Sequence, residues 1–205
     1  MKVSIIGNGS VGQALGMRIK KTGHDVNFAV RDMQKESTVA IAEKTGVLLT
    51  NLKDAALADM VIIAAPAAAV ESIIETLGPM AGKIVIDASN TIRPLEGRFA
   101  TAFHLMTDKL EAAVVKCFNT TGFENMSEPD YGKKGLAVDM FMAGDDDSAK
   151  ATVRQLCLDM GFAECYDLGS AEKAPLLEGL AKLWINLSFS QPFGRNFMFK
   201  LVTRE

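Results

Sequence analysis

Lys2-Val-Ser-Ile-Ile-Gly7-Asn8-Gly9-Ser10-Val11-Gly12 is a short apolar strand running into the pattern G-x-G-x-x-G. Gly7 permits the tight turn out of the strand, Gly9 lets the backbone approach an anion, and Gly12 lets the next helix lie close on the sheet. The backbone N–H groups of Asn8, Ser10, Val11 and Gly12 then face that anion, with the positive end of the helix dipole behind them. The glycines lie between a strand and a helix, and a second strand, Val26-Asn-Phe-Ala-Val30, follows, which is the context a dinucleotide fingerprint requires. The stretch therefore implies a bound pyrophosphate.

The end of the second strand indicates which dinucleotide. An NAD-binding chain places an acid there to accept from the ribose 2′-OH, whereas this chain has Val30 followed by Arg31. Arg31 and Lys35 suit a 2′-phosphate, and the planar Arg fork matches phosphate geometry, so NADP(H) is expected. Asp32 would repel that phosphate unless its carboxylate is turned to backbone N–H groups at the start of the next helix.

Outward from this unit, short apolar strands alternate with helical patterns, the signature of an α/β chain with a doubly wound, mostly parallel sheet and helices on both faces. Strands are expected at Lys2–Ile6, Asp25–Val30, Val47–Leu49, Met60–Ala64, Lys83–Asp87, Ala113–Phe118, Asp139–Ala143 and Ala163–Asp167. Helices are expected at Ser10–Lys21, Lys35–Thr45, Asn51–Leu57, Ala67–Leu77, Gly97–Leu110 and Asp146–Met160. Ala65 and Pro66 after the fourth strand and Ser89 after the fifth fall on the carboxyl edge, where a cofactor passes close to the backbone. Ser170 to Ser190 reads as one long helix with Leu176, Leu177, Leu180, Leu183, Trp184 and Leu187 on its apolar face. Residues 1–168 are thus expected to form the nucleotide-binding domain, and 169–205 a small helical C-terminal portion packing on it.

A formal net charge of -3 with no basic stripe argues against nucleic acid as a partner. The longest apolar run, Met60 to Val70, is interrupted by Pro66 and falls short of the roughly 20 residues that span a bilayer. With no secretory signal visible, a cytoplasmic protein without a membrane partner is expected. Cys117, Cys157 and Cys165 lack C-x-x-C spacing, so buried inert thiols are expected rather than a disulfide framework or zinc site.

No Ser/His/Asp, Cys/His or paired-carboxylate arrangement is present, so no catalytic acid or base is assigned. Hydride transfer by positioning needs none. Asn119 and Thr120, after the sixth strand, offer an amide and a hydroxyl to a nicotinamide carboxamide or substrate; the alternative is a turn that caps the strand. Asp145-Asp-Asp147 reads as a helix N-cap rather than a metal site. His24 reads as a strand-start residue and His104 as part of a helix. Trp184, Phe193, Phe197 and Phe199 suit core or dimer packing, or a face for a planar ring, and the apolar tail suggests a homodimer.

Gly7–Gly12, Lys116-Cys-Phe-Asn119-Thr120-Thr121-Gly122, Gly144-Asp-Asp-Asp147, Leu177-Glu178-Gly-Leu-Ala-Lys-Leu-Trp184-Ile and Gly194-Arg-Asn-Phe197 follow one another along nearly the whole chain. Together they resemble the coenzyme F420-dependent NADP oxidoreductase family, and the fold resembles the NADPH-binding domain of membrane ferric reductases. The resemblance implies a Rossmann-type fold, NADP(H) as cofactor, and hydride exchange with a small-molecule acceptor or donor: F420, a flavin or a related compound. It also implies phosphate contacts at Gly7–Gly12, 2′-phosphate contacts at Arg31 and Lys35, adenosine-side contacts at Ala65 and Pro66, and a nicotinamide-side segment at Asn119, Thr120 and Thr121. Where the family's pattern has His, this chain has Asn119. Two other readings stay open: an NADP-dependent imine or carbonyl reductase resembling pyrroline-carboxylate reductases, and a non-catalytic NADP(H) sensor.

Overall fold

The computed structural model describes residues 1–93, 95, 99–132 and 136–204. Six parallel strands, β1 (Lys2–Ile6), β2 (Asp25–Val30), β3 (Leu48–Asn51), β4 (Met60–Ile63), β5 (Ile84–Asp87) and β6 (Ala113–Lys116), form one sheet in the order 3-2-1-4-5-6. The order reverses between β1 and β4, which opens a crevice at the carboxyl ends of those two strands. Ala29, Ile6, Ile63, Asp87 and Lys116 stand side by side along that edge.

Both faces of the sheet are covered, which explains why its strands are nearly continuous apolar runs. Ile5, Phe28, Ile62, Ile86 and Val115 face α1 (Ser10–Lys21) and α6 (Asp147–Asp159). Val61, Ile63, Val85 and Val114 face α3 (Val70–Leu77) and α4 (Ala102–Lys109). Burying each such side chain contributes about 1.5–3 kcal/mol. α2 (Glu36–Thr45) and the short α5 (Phe123–Ser127) lie over α1. The final strands, β7 (Asp139–Met142) and β8 (Glu164–Asp167), do not extend the sheet. They form their own parallel pair, joined to the main sheet through the antiparallel bridge Lys116 to Ala143.

α1 has the expected bounds because each of its signals is local: the glycine turn before it, Ala14, Leu15 and Ile19 on one face, and Gly23 beyond its end at φ +86°. Elsewhere the boundaries differ. The stretch expected as a helix at Asn51–Leu57 is a 3-10 turn, Lys53–Leu57, and Ala67–Ala69 is another 3-10 turn ahead of α3. The start of the expected Gly97–Leu110 helix lies outside the described residues, and α4 begins at Ala102, capped by the Thr101 side chain. The short α5 was not expected.

The long C-terminal helix, α7 (Ala174–Phe189), follows a 3-10 turn at Ala171–Lys173 and carries Pro175 in its first turn, where a missing N–H does no harm. Its buried face is only partly the expected one, keeping Leu177 and Trp184. Ala174, Leu177, Glu178, Ala181, Trp184 and Ser188 turn inward, while Leu176 and Leu183 remain 60% and 48% exposed. The carboxylate of Glu178 has a buried partner at the sheet edge, and small residues let the helix approach that edge. Leu176 and Leu183 are left outside.

Candidate dinucleotide site

The glycine loop has the shape of a phosphate cradle. Gly7 takes φ +107°, and a Cβ there would lie 2.5 Å from the carbonyl oxygen of Ala64, at the end of the neighbouring β4. A Cβ on Gly12 would lie 1.8 Å from the Gly7 carbonyl oxygen. Gly9 differs, since a Cβ there would meet nothing within 4 Å, so its missing side chain leaves room for a ligand. No side chain caps α1 and no acid stands in its first turn. The N–H groups around Ser10, Val11 and Gly12 are therefore available to an anion.

Beside this loop a cleft of about 400 Å³ opens at the switch point, and its wall contains Gly7, Asn8, Arg31, Asp32, Lys35, Ala65 and Pro66. Gly7 and Asn8 of the expected phosphate side thus share one wall with Arg31 and Lys35 of the expected ribose side, while Gly9, Ser10, Val11 and Gly12 lie outside it. Arg31 also borders a second hollow with Asn51, Leu52, Lys53, Ser72 and Thr76. Its Nη2 donates to Ser72 Oγ at 2.9 Å, and Ser72 Oγ in turn donates to the Ala69 carbonyl at 3.0 Å. Asp32 Oδ1 accepts from the backbone N–H groups of Gln34 and Lys35 at 2.9 and 3.1 Å. That carboxylate is turned to backbone N–H groups, as expected, but in the turn before α2, whose N-cap is Lys35. Loop, dipole and two cations fit a dinucleotide carrying a 2′-phosphate.

Ser89, Asn119 and Thr120 lie at the carboxyl ends of β5 and β6, outside the wall of that cleft. All three are buried. Ser89 donates to Asp87 Oδ1 through both its backbone N–H and its hydroxyl. Asn119 Nδ2 donates to Asn90 Oδ1 at 3.0 Å and to the Leu177 carbonyl at 3.2 Å, while Asn119 Oδ1 has no partner. The Thr120 hydroxyl is turned to the Met140 sulfur at 3.6 Å. Before this segment, Phe118 takes φ +61°, an uncommon conformation for a bulky residue.

Beneath these residues lies a charged cluster that sequence reasoning missed. Lys116 Nζ donates to Asp87 Oδ2 at 2.8 Å, to Glu178 Oε1 at 2.8 Å and to the Ser89 carbonyl at 2.6 Å. Glu178 Oε2 accepts from the Thr91 backbone N–H at 2.9 Å. The Lys116 and Asp87 side chains are wholly buried and that of Glu178 nearly so. The cluster joins α7, β5, β6 and the start of the 91–101 segment. A signal was present in the sequence: charged residues ending the apolar runs Ile84-Val-Ile-Asp87 and Ala113-Val-Val-Lys116, and an acid among the small residues of α7.

The remaining candidates serve structure. Asp146 Oδ1 accepts from Ala149 N–H as the N-cap of α6, Asp145 accepts from Ala171 N–H, and Asp147 pairs with Lys150. His104 Nδ1 lies 2.7 Å from the Thr101 hydroxyl, and His24 sits by the N-terminus. In the tail, Trp184 and Phe197 stack at 5.5 Å, and Arg195 lies over the rings of Trp184, Phe123 and Phe189. Arg195 also forms a two-bond pair with Glu124 at 2.5 and 2.9 Å. Cys117, Cys157 and Cys165 are free and buried, as expected. Burial pushes the thiols of Cys117 and Cys157 well up, whereas hydrogen bonds from Cys117 and Cys157 hold Cys165 down.

The sheet order, the cradle and the paired cations define a Rossmann-type dinucleotide-binding protein. Residues 2–91 match the model of the family described as NADP oxidoreductase, coenzyme F420-dependent, so the resemblance read from the sequence is shown over that stretch. A protein provisionally assigned as an F420-dependent NADP reductase, from Arthrobacter sp. FB24, superposes over 99% of this chain and 100% of its own, with TM-score 0.84 and 26% identity. The hypothetical protein SMa0349 from Sinorhizobium meliloti does so over 98% and 96%, with TM-score 0.77 and 29% identity. A reductive aminase from Aspergillus terreus, solved with NADPH, shares the fold at 19% identity and TM-score 0.64, over 91% of this chain and 64% of its own.

Proposed function

We propose that the protein is an NADP(H)-dependent oxidoreductase exchanging a hydride with F420, a flavin or a related acceptor. One observation carries the cofactor half of this reading: Gly7 and Asn8, in the glycine loop that leads into α1, line one switch-point crevice with Arg31 and Lys35. The match of residues 2–91 and the full-length similarity to the Arthrobacter protein support the acceptor class. When bound, the nicotinamide would give or take the hydride. The chain's part is to hold the pyrophosphate on the N–H groups of Asn8, Gly9, Ser10, Val11 and Gly12, and the 2′-phosphate on Arg31 and Lys35. Ala65, Pro66 and Ser89 line the path along the carboxyl edge.

The nicotinamide end belongs to the segment that includes Asn119 and Thr120. Asn119 Oδ1 is a buried acceptor without a partner, suited to a carboxamide N–H once the contact with Asn90 opens. Thr120 contributes through the shape of the segment. No protein acid or base is required.

We also infer a cytoplasmic homodimer. The three unpaired thiols suit a reducing compartment. Exposed Leu176 and Leu183, with half-buried Leu180 and Leu187 beside them on α7, form a stripe that a second copy can meet with the same stripe. Light scattering on the wild type and L183E tests the dimer.

Stopped-flow mixing of NADPH-loaded protein with F420, FMN, FAD, ferric chelates and a cyclic imine tests the activity. Oxidation by F420 or a flavin is expected. Transfer to the imine alone would select the imine-reductase reading, which has a related fold behind it. Tight NADPH binding without transfer to any acceptor would make the protein a sensor.

A further inference from the structure

Cys117, Cys157 and Cys165 come from three separate elements, the residue after β6, the last turns of α6 and the second position of β8, and they meet in the core. Cys117 Sγ lies 3.9 Å from Cys157 Sγ and 4.0 Å from Cys165 Sγ, and all three sulfurs lie within 4.8 Å of one another. Metal–sulfur bonds of about 2.3 Å arranged in a plane around one ion put the sulfurs about 4.0 Å apart. Two edges of the triangle have that length, so an ion could be seated with small side-chain shifts. We propose that these three sulfurs form a binding site for a soft, three-coordinate metal ion, monovalent copper, joining β6, α6 and β8.

The donor set selects the ion. Thiolates favour Cu(I) and zinc over hard cations, and structural zinc takes four ligands. Among the described residues no fourth His, Cys, Asp or Glu completes the group. Its surroundings are apolar and rich in sulfur, with Val153, Leu156 and Phe162, and with Met126, Met140, Met142 and Met160 in the same cluster. Met140 is the register partner of Cys165. The three thiol protons leave as the sulfurs bind.

The site adjoins the charged cluster, since Cys117 follows Lys116 and precedes Phe118 and Asn119. A bound ion would therefore stiffen the segment leading to Asn119. The proposal itself does not rest on the nucleotide reading.

The test is anaerobic titration of reduced full-length protein with Cu(I) against a colorimetric Cu(I) chelator, with melting curves and NADPH affinity measured on the same samples. One equivalent should leave the chelator, and the melting temperature should rise. Ag(I) should behave alike, while Zn(II) should not compete. C157A and C165S should each weaken uptake at least tenfold without changing NADPH affinity. If both variants fail to fold, the wild type decides by whether it takes one equivalent and is stabilised. Copper remaining wholly with the chelator, or uptake retained in both folded variants, overturns the site. Loss of NADPH binding alone would count against the proposed function and leave the copper site standing.

Discussion

The Lys116 ammonium stands 2.8 Å from the carboxylate of Glu178, a residue 62 positions further along the chain, and both are buried. With Asp87 on its other side, Lys116 neutralises one of two buried carboxylates and anchors α7 to the sheet edge. Replacing Lys116 by Met leaves both acids unpaired, and breaking such a group costs about 3–5 kcal/mol. Chemical denaturation should show a loss of that size for K116M and a smaller one for E178Q, which keeps the Lys116 to Asp87 pair. A K116M loss under about 1 kcal/mol would mean that the cluster does not hold the helix.

Two glycines of one loop should respond differently to the same methyl group. G12A must push apart α1 and the Gly7 carbonyl, so its melting temperature should fall together with nucleotide affinity. G9A meets no protein atom. It should fold with wild-type stability and lose NADPH affinity by tenfold or more, as read by calorimetry. Wild-type affinity in folded G9A would remove the pyrophosphate from the loop.

Arg31 is already oriented by Ser72, at 2.9 Å. R31A should lower NADPH affinity by about tenfold to a hundredfold, the scale of one or two charge-assisted hydrogen bonds, and leave NADH nearly unchanged. Equal losses for the two nucleotides would sink the 2′-phosphate assignment.

The tail is docked through a titratable pair. Burial raises the Glu124 carboxyl, but hydrogen bonds and charge from Arg195 outweigh it and hold the group below the usual range. A carboxyl depressed in the folded state stabilises above its unfolded value, near 4.3, and the contribution is lost as pH falls through the folded value. Tail docking should therefore loosen below about pH 4. The single tryptophan, Trp184, lies under Phe197 and Arg195 and reports the change by fluorescence. E124Q should already loosen the tail at neutral pH and lack the acid transition; an unchanged transition in E124Q would assign it to other groups.

The nucleotide half was legible because its signals are short-range. The bounds of α1 follow from adjacent residues, and the cradle needs only glycines at fixed offsets after a strand. Asp32 was readable for the same reason, since the N–H groups that donate to it lie within three residues. Legibility ended where contacts cross long stretches of chain. Leucine spacing in α7 suggested a buried face of which Leu177 and Trp184 are part, but the carboxylate of Glu178, buried beside Lys116, turned Leu176 and Leu183 outward.

By itself, then, the sequence determined the alternating strands and helices, the glycine loop and the basic residues proposed to meet a 2′-phosphate, because hydrophobic period, backbone conformation and charge act between near neighbours. The tertiary structure alone decided that β7 and β8 stand apart as a second sheet, that Lys116 shares two acids, and that three cysteines with uninformative spacing touch. Those outcomes depend on how strands and helices far apart in the chain pack together, and the need to pair buried charge and fill the core selects that arrangement only once the sheet exists.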